Sequence, residues 1–153
     1  MSGLLLTIRY FQAEDLGELH EIDRICFPEG IAFSRAELLF HMIQPQSIAR
    51  VAQGSDRILG FVIAKVEAPF YAHIITLDVI PAARRRKVGT KLMNEVHHEL
   101  ENRNIGMVGL EVGVDNRKAQ RLYGKLGYQR MGILSGYYRG REDAFRMVRR
   151  LKD

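Results

Sequence analysis

Hydrophobic residues recur along the chain with two periods, one typical of strands and the other typical of helices. A spacing of three and four residues predicts helices that begin near Leu16, after Ser34, at Val88 and at Arg117. Runs rich in β-branched and aromatic residues predict the strands, which are "LLLTIRY", "SIARVAQ", "RILGFVIAKVE", "YAHIITLDVI", "GMVGLEVGV", "YQRMGILSGYY" and "AFRMVRRL". The predicted order of elements is therefore β-α-α-β-β-β-α-β-α-β-β.

Turn and cap signals support these boundaries. Ser34 and Glu37 have the spacing of a helix capping box, and Gly127 has the position of a residue that closes the last helix. The "GSD" cluster joins two strands as a hairpin. A strand, a crossover helix and a strand between Ile74 and Val114 predict one parallel pair in an otherwise antiparallel sheet. The fold class is therefore α/β or α+β with a mixed sheet.

Length and composition narrow the class of protein. The 153 residues are 46% hydrophobic and 27% charged, which predicts a single globular domain over residues 1–153. The apolar run at Leu4–Leu6 is too short for a signal-peptide core or a membrane span. Cys26 is the only cysteine, which excludes an intrachain disulfide and predicts a cytoplasmic protein. Its apolar neighbours indicate a packing role for the thiol.

The formal net charge is +5 and the sequence pI is about 9.6, which favours anionic partners. The cations concentrate in "LDVIPAARRRKVGTKLM", residues 77–93. A strand that ends at Val79, a turn through 84–88 and a helix from Gly89 form anion-binding geometry, because the first N–H groups of a helix have no intrahelical acceptor. A solvated cationic turn and a nucleic-acid patch are the alternatives. Nucleic acid is disfavoured as a direct ligand, because no aromatic residue interleaves the cations.

A second motif, "LEVGVDNRKAQRLYGKLGY", decides between these alternatives. A strand that carries Glu111 leads through Asn116 into a helix that bears Tyr123. Together with the basic stretch, this resembles the GNAT superfamily of acetyl-CoA-dependent N-acetyltransferases. The segments "EIDRICFPE" and "GYYRGREDAFRM" are most similar to ribosomal-protein alanine N-acetyltransferases and related protein N-terminal acetyltransferases. The resemblance implies a mostly antiparallel central sheet, with one parallel strand pair splayed to hold the cofactor and four flanking helices.

The resemblance also implies roles for particular residues. It assigns Glu111 as general base and Tyr123 as general acid, and acetyl-CoA as the only cofactor. The implied cofactor contacts are Leu77, Asp78, Val79, Arg84, Arg85, Arg86, Lys87, Val88, Gly89, Thr90, Asn116 and Tyr123. The implied substrate contacts are Glu29, Tyr137 and Tyr138. We infer no metal, because the adjacent His97 and His98 face apart on a helix.

The spacing alone supports a simpler reading of several of these residues. Glu111 could face solvent, Tyr123 could be part of an apolar helical stripe, and Asn116 could serve as a helix N-cap. Glu29 could be an ordinary surface residue. A tyrosine pair at a strand end, as at 137–138, is also common in packing.

Two expectations concern the chemistry. We expect burial to raise the pKa of Glu111, and a strand N–H near Val79 to stabilise the oxyanion. The family motif Arg/Gln-x-x-Gly-x-Gly/Ala departs at its first glycine, where this chain has Lys87. If that position requires a positive φ, lysine is strained there.

The acceptor predicted from the resemblance is the N-terminal amine of a protein, such as a ribosomal protein. Direct attack in a ternary complex is expected, because the chain offers no convincing nucleophile. One alternative keeps the chemistry but uses a small amine, such as a polyamine, an amino acid or an antibiotic. The other is a non-catalytic basic module that binds nucleic acid. No membrane partner is expected.

Overall fold

The computed structural model describes residues 6–137 and 142–151, which form seven strands and four α-helices in the predicted order. The helices are α1 Leu16–Cys26, α2 Arg35–Ile43, α3 Val88–Asn102 and α4 Arg117–Lys125. The strands are β1 Thr7–Tyr10, β2 Ser47–Gln53, β3 Ile58–Ala68, β4 Tyr71–Val79, β5 Met107–Gly113, β6 Gln129–Leu134 and β7 Ala144–Arg150. Single 3₁₀ turns at Ala13–Asp15 and Pro81–Ala83 were not part of the predicted pattern.

The strands lie in the sheet order β1-β2-β3-β4-β5-β7-β6. The pairs β1-β2, β2-β3, β5-β7 and β6-β7 are antiparallel, whereas β4 and β5 are parallel. The parallel ladder ends at His73↔Gly109, although β4 continues to Val79 and β5 to Gly113. The mixed, mostly antiparallel sheet with one parallel pair is therefore confirmed.

The chain divides into two compact units, and β4 contributes to both. The first unit comprises residues 6–65 and 75–96 of the described chain, and its core is built from α1, α2, β2, β3 and the first half of α3. The largest fully buried side chains of this core are Leu19, Leu38, Ile48, Ile58, Phe61, Ile63, Leu92 and Met93. The presence of glycine at position 60 on β3 has a steric explanation, because a side chain there would overlap the main-chain carbonyl of Asp78.

The second unit comprises residues 66–74 and the described residues from 97 onward. Leu100, Val108, Leu110, Tyr128 and Met147 form its buried core. Most of these side chains come from α3 and the central strand β5.

A buried polar chain stabilises this second core. Nε2 of His97 hydrogen-bonds the Tyr128 hydroxyl at 2.8 Å, and Nη1 of Arg149 donates to Nδ1 of His97 at 2.8 Å. Burial, and then the charges of Arg149 and His98, lower the pKa of His97 to about 4. His97 is therefore a neutral core residue at physiological pH.

Local sequence signals fix two of the helix ends as predicted. The Ser34 hydroxyl accepts from the Glu37 N–H at 3.1 Å, and the Glu37 carboxylate accepts from the Ser34 N–H at 2.8 Å. Gly127 follows α4 with φ +93°, a conformation that only glycine adopts without strain. No helix within residues 6–137 and 142–151 is both long and apolar enough to cross a membrane.

Candidate active site

Glu111 lies near the end of β5, where side chains of both neighbouring strands reach it. In the antiparallel ladder with β7, Glu111 is directly opposite Arg146. In the parallel ladder with β4, His73 is paired with Gly109, which lies two residues before Glu111 on the same face of the strand. The register of the sheet therefore places a histidine and an arginine on either side of one carboxylate.

Three side chains donate hydrogen bonds to this carboxylate. Nε2 of His73 is 2.5 Å from Oε1, and the Tyr137 hydroxyl is 3.1 Å from the same oxygen. Nη2 of Arg146 is 3.2 Å from Oε2. The side chain of Glu111 is only 5% exposed, so these donors replace most of its hydration.

The electrostatics of Glu111 correct the prediction of a raised pKa. Burial alone would raise the pKa of this carboxyl, but the hydrogen bond and charge of His73, the Tyr137 hydrogen bond and the Arg146 charge together lower the pKa below its ordinary value of 4.5. The prediction was wrong because it considered burial alone and not the donors on the neighbouring strands. Glu111 is a carboxylate at neutral pH.

His73 bridges two carboxylates. Its Nε2 contacts Glu111, and its Nδ1 is 3.3 Å from Oε2 of Glu67. Burial alone would lower the pKa of His73, but the two carboxylates outweigh it and raise the pKa above the ordinary 6.5. The imidazolium form is thus favoured, with both ring nitrogens acting as donors.

Tyr137 is the predicted substrate residue that the structure brings to Glu111. The residue is 44% exposed, while its hydroxyl bonds the Glu111 carboxylate. The side chain therefore joins solvent to the buried acid. Tyr138 lies outside the described residues.

Tyr123 is buried on α4, with 8% of its surface exposed. Its ring packs against the ring of Tyr128 at 5.8 Å between centroids, and Tyr128 is held in turn by His97. This contact orients Tyr123 from a rigid part of the second core.

Asn116 is the N-cap of α4. Its Oδ1 accepts from the Ala119 N–H at 3.2 Å, and its side chain is exposed. The capping role is thus observed. A cofactor contact of Asn116 stays a prediction, and the two are compatible.

Two residues of the basic turn have left-handed backbone conformations. Arg85 has φ +73° and Lys87 has φ +62°. Lys87 occupies the position of the first glycine in the family motif, and its φ is positive. A side chain in this conformation costs about 1–2 kcal/mol relative to ordinary helical backbone. The side chains of residues 84–87 are all exposed.

The first turn of α3 follows directly. The first intrahelical hydrogen bond runs from the Lys91 N–H to the Lys87 carbonyl at 3.0 Å. Helical geometry therefore leaves the N–H groups of Val88, Gly89 and Thr90 without an acceptor in the helix. Val88 and Gly89 are buried and Thr90 is half-buried.

The end of β4 is fixed by contacts within the first unit. Nε of Arg84 donates to the Val79 carbonyl at 3.0 Å, and the Cys26 thiol donates to the same oxygen at 3.4 Å. Leu77 and Val79 are half-buried, whereas Asp78 on the opposite face is completely buried. The Asp78 side chain therefore belongs to the interior, and only its main chain remains for a cofactor contact.

Glu29 lies in the loop between α1 and α2, where it is exposed. Gly30 beside it has φ +90°, and the Ile31 and Ala32 N–H groups both donate to the Pro28 carbonyl at 3.0 Å. The loop is thus a tight turn that presents Glu29 to solvent. The described part of the chain contains no group of three or more His, Cys, Asp or Glu side chains suited to a metal ion.

Sequence analysis missed several residues of these sites. His73 and Arg146 contact Glu111, and Asp23 lies against Asp78. The alternation of residues along β4 was a signal that the Asp78 side chain is buried. The residues that share the buried face of this strand are Ala72, Ile74, Thr76 and Asp78. No signal in one sequence gives the register that brings His73 and Arg146 to Glu111.

Comparisons with known proteins agree with this architecture. The chain is 26% identical over 161 residues to an N-alpha-acetyltransferase of Saccharolobus solfataricus, with 97% of this chain and 95% of the relative covered. It is 30% identical to the catalytic subunit of the N-terminal acetyltransferase A complex of Arabidopsis thaliana, over 97% of this chain and 79% of the relative.

The crystal structure of the ribosomal-protein alanine N-acetyltransferase of Escherichia coli has the same fold. The TM-score is 0.88 at 24% identity, and 97% of this chain and 96% of that chain are covered. The model of the acetyltransferase (GNAT) family matches residues 16–128. The chain therefore belongs to the GNAT family of acetyltransferases, as its two motifs predicted.

Proposed function

We propose that this acetyltransferase transfers an acetyl group from acetyl-CoA to the N-terminal α-amino group of a protein, by direct attack in a ternary complex. The observation that carries the proposal is the ionised Glu111, which is held by His73 and Arg146 and joined to solvent by Tyr137. A buried anion with a solvent-facing phenol beside it is suited to receive one positively charged amine. The names of the Saccharolobus and Arabidopsis relatives, both N-terminal acetyltransferases, support this acceptor.

The basic turn and the first turn of α3 fit a diphosphate. Four consecutive cations raise the local positive potential, and the N–H groups of Val88, Gly89 and Thr90 are available to phosphate oxygens. Buried Gly89 has no side chain that could block their approach. When bound, acetyl-CoA supplies the acetyl group as an activated thioester. We propose main-chain contacts from residues 77–79 and 84–90, with Asn116 as a further contact.

Glu111 would orient the amine and take up its proton. An α-amino group has an ordinary pKa near 8, so a substantial fraction is already neutral at physiological pH. Because the pKa of Glu111 is low, the carboxylate holds a proton only briefly and passes it to solvent through Tyr137 or a water. His73 and Arg146 act as positioning residues that keep the carboxylate ionised.

Tyr123 is our proposed acid for the departing thiolate. A phenol with an ordinary pKa near 10 can donate to a thiolate whose conjugate acid lies near 8.5. Cys26 does not compete as a nucleophile, since burial raises the pKa of its thiol. This absence of a reactive thiolate supports direct transfer. We propose the main-chain N–H of Val79 as oxyanion donor.

The peptide would be recognised by Glu29 and by the tyrosines at 137–138. Glu29 is exposed on a tight turn, and Tyr137 combines an exposed ring with a bonded hydroxyl. A ribosomal protein is the narrower acceptor that we propose. We also propose that residues 1–153 form one catalytic domain, because the family model runs through residues of both compact units. The cytoplasm is the compartment that we propose for it.

Peptide libraries test this function. Peptides with different first residues, each with one internal lysine, are incubated with acetyl-CoA and the protein and then sequenced by mass spectrometry. Acetyl groups should appear on the first residue and not on the lysine. An alanine preference would support a ribosomal-protein acceptor.

Two other outcomes would overturn the proposal. Acetylation of polyamines, amino acids or antibiotics in place of peptides would assign a small amine. Strong nucleic-acid binding without any acetyl transfer, lost steeply as salt increases and retained in Tyr123→Phe, would assign a basic binding module.

A further inference from the structure

Two carboxyl groups are buried against each other in the first unit. Asp23 on α1 and Asp78 on β4 are each 0% exposed, and Asp23 is close enough to raise the pKa of Asp78. Within the described chain, Oδ1 of Asp23 and Oδ2 of Asp78 have no hydrogen-bond partner. Two carboxylate oxygens cannot bond without a hydrogen between them, so a bond between these two acids requires a proton.

The other two oxygens of the pair have donors of their own. The Thr76 hydroxyl donates to Oδ1 of Asp78 at 2.6 Å, and the Phe33 N–H donates to Oδ2 of Asp23 at 2.7 Å. Each acid is therefore oriented by one fixed donor, and its remaining oxygen has no donor. These two oxygens can complete the hydrogen-bond arrangement only by sharing one proton.

Asp23 closes the loop that carries Glu29. Its main-chain carbonyl accepts from the Phe27 N–H at 2.9 Å, and its carboxylate accepts from the Phe33 N–H at 2.7 Å. The two ends of the 27–33 loop are thus held by a single residue. Any movement of the Asp23 carboxylate is transmitted to that loop.

Asp78 belongs to the end of β4, next to Val79. The charged and titratable groups that face the pair are Arg84, which lowers the pKa of Asp78, and Cys26, whose own pKa is raised in part by Asp78. Arg84 is exposed and bonded to the Val79 carbonyl, so its charge is shared with solvent. It therefore does not neutralise the buried acids.

We propose that Asp23 and Asp78 form a proton-held clasp, in which Oδ2 of Asp78 donates its proton to Oδ1 of Asp23 and fixes the 27–33 loop to the end of β4. The inference rests on the function proposed above, in which that loop recognises the peptide and β4 contacts acetyl-CoA. Both aspartates are positioning residues. The clasp opens when the pair loses its proton, because two adjacent buried carboxylates repel each other.

The direction of the pH effect follows from burial. Burial, then the hydrogen bond and charge of Asp23, raise the pKa of Asp78 well above its ordinary 3.8. The proton is therefore retained as pH rises past 3.8 and is lost only at the raised folded pKa. Peptide recognition should weaken at the alkaline end of the pH profile.

Hydrogen exchange at the Phe33 amide tests the clasp without reference to catalysis. In the wild type, the protection factor should fall as pH rises through the ionisation of the pair. In Asp78→Ala, a substitution on β4, the Phe33 amide should lose about tenfold or more of its protection at pH values below the ionisation of the pair, and its protection should no longer depend on pH. In Asp78→Asn, whose amide can donate to Asp23, the protection should be retained and should no longer depend on pH.

Two further measurements separate loss of the clasp from a general loss of stability in Asp78→Ala. Thr76→Val removes the donor to the other oxygen of Asp78 and should leave the Phe33 protection near the wild-type value. Infrared spectroscopy of the wild type should show a protonated carboxyl band that persists as pH rises past 3.8 and is absent from Asp78→Asn. Absence of the band, or unchanged Phe33 protection in folded Asp78→Ala, would refute the clasp.

Peptide kinetics separate this inference from the proposed function. If peptides are acetylated, KM for the peptide should rise about tenfold in Asp78→Ala, and the conservative Asp78→Asn should restore it. Acetylation with unchanged Phe33 protection in Asp78→Ala would refute the clasp and leave the function standing. No acetylation of any peptide, with Phe33 protection that follows pH as described, would refute the proposed function and leave the clasp standing.

Discussion

Glu111 and Asp78 are both acids near the ends of strands, yet their environments drive them to opposite charge states. Glu111 has three side-chain donors, two of them cationic, and its pKa is lowered despite burial. Asp78 has one hydroxyl donor and a second acid, and burial raises its pKa. The first carboxyl is a stable anion and the second holds a proton.

The difference shows that burial does not by itself determine protonation. Burial is the largest influence at both sites and raises the pKa at both. The donors supplied by the flanking strands reverse that effect at Glu111, while a second acid reinforces it at Asp78. A buried anion whose neighbouring tyrosine reaches solvent suits chemistry with amines, and a fully buried acid pair suits structural positioning.

The largest effect should follow loss of the Glu111 charge. Glu111→Gln keeps the shape of the side chain but removes the anion that receives the amine and its proton. We expect kcat for peptide acetylation to fall by about 10²- to 10⁴-fold, the usual contribution of a general base. Steady-state kinetics with a peptide acceptor measure the loss.

Glu67→Gln is the matched control for this substitution. Glu67 is also a carboxylate bonded to His73, but it is 40% exposed. Its replacement should lower kcat far less than Glu111→Gln. Equal effects of the two substitutions would show that Glu111 acts only through His73.

A smaller effect is expected on stability when the cation beside Glu111 is removed. The raised pKa of His73 means that its stabilisation is complete below pH 6.5 and is lost as pH rises through the folded pKa. The lowered pKa of Glu111 means that its stabilisation is complete above pH 4.5 and is lost as pH falls. His73→Gln should therefore lower the free energy of unfolding most between pH 4.5 and 6.5, where the loss should be about 2 kcal/mol. Urea unfolding over a pH series measures this, and a pH-independent cost would contradict a charged pair.

Asp78 should show the opposite trend. Because its folded pKa is raised, the stabilisation is complete below pH 3.8 and is lost as pH rises through the folded value. Asp78→Asn should cost about 1 kcal/mol at the acid end, where one neutral hydrogen bond is exchanged for another. The cost should shrink and then reverse as pH rises. A cost that grows with pH, measured by the same unfolding series, would show that Asp78 is ionised in the folded state.

The smallest effect is expected at the basic turn, away from both carboxyls. Lys87→Gly removes the strain of a lysine in the left-handed conformation but increases the conformational freedom of the unfolded chain. The free energy of unfolding should therefore rise by only about 0.5 kcal/mol. Thermal unfolding measures the gain, with the exposed Lys91→Gly, which should destabilise α3, as control. A loss of stability in Lys87→Gly would mean that the lysine side chain makes a contact worth more than the strain.

Much of the fold could be predicted from the sequence. Periodicity, the Ser34 capping box and Gly127 are local signals, and they located all four helices and the order of strands. The one parallel pair followed from a crossover helix between two strands. The two short 3₁₀ turns were missed, because single turns have no periodic pattern.

The site was predictable in part. Family motifs pointed to Glu111, and the exchange of glycine for Lys87 raised the question of a positive φ, which the structure has. The partners of Glu111 come from β4 and β7, at separations of 38 and 35 residues, and only strand register brings them together. The charge state of Glu111 depends on those partners, and this is why its pKa was predicted in the wrong direction.

The most direct measurement is a pH titration of the two carboxyl carbons by NMR, with ¹³C-labelled aspartate and glutamate and with Glu111→Gln and Asp78→Asn for assignment. The Glu111 resonance should titrate below pH 4.5, and the Asp78 resonance should titrate well above pH 3.8. A Glu111 carboxyl that titrates above 4.5, or an Asp78 carboxyl already ionised below 3.8, would contradict the account.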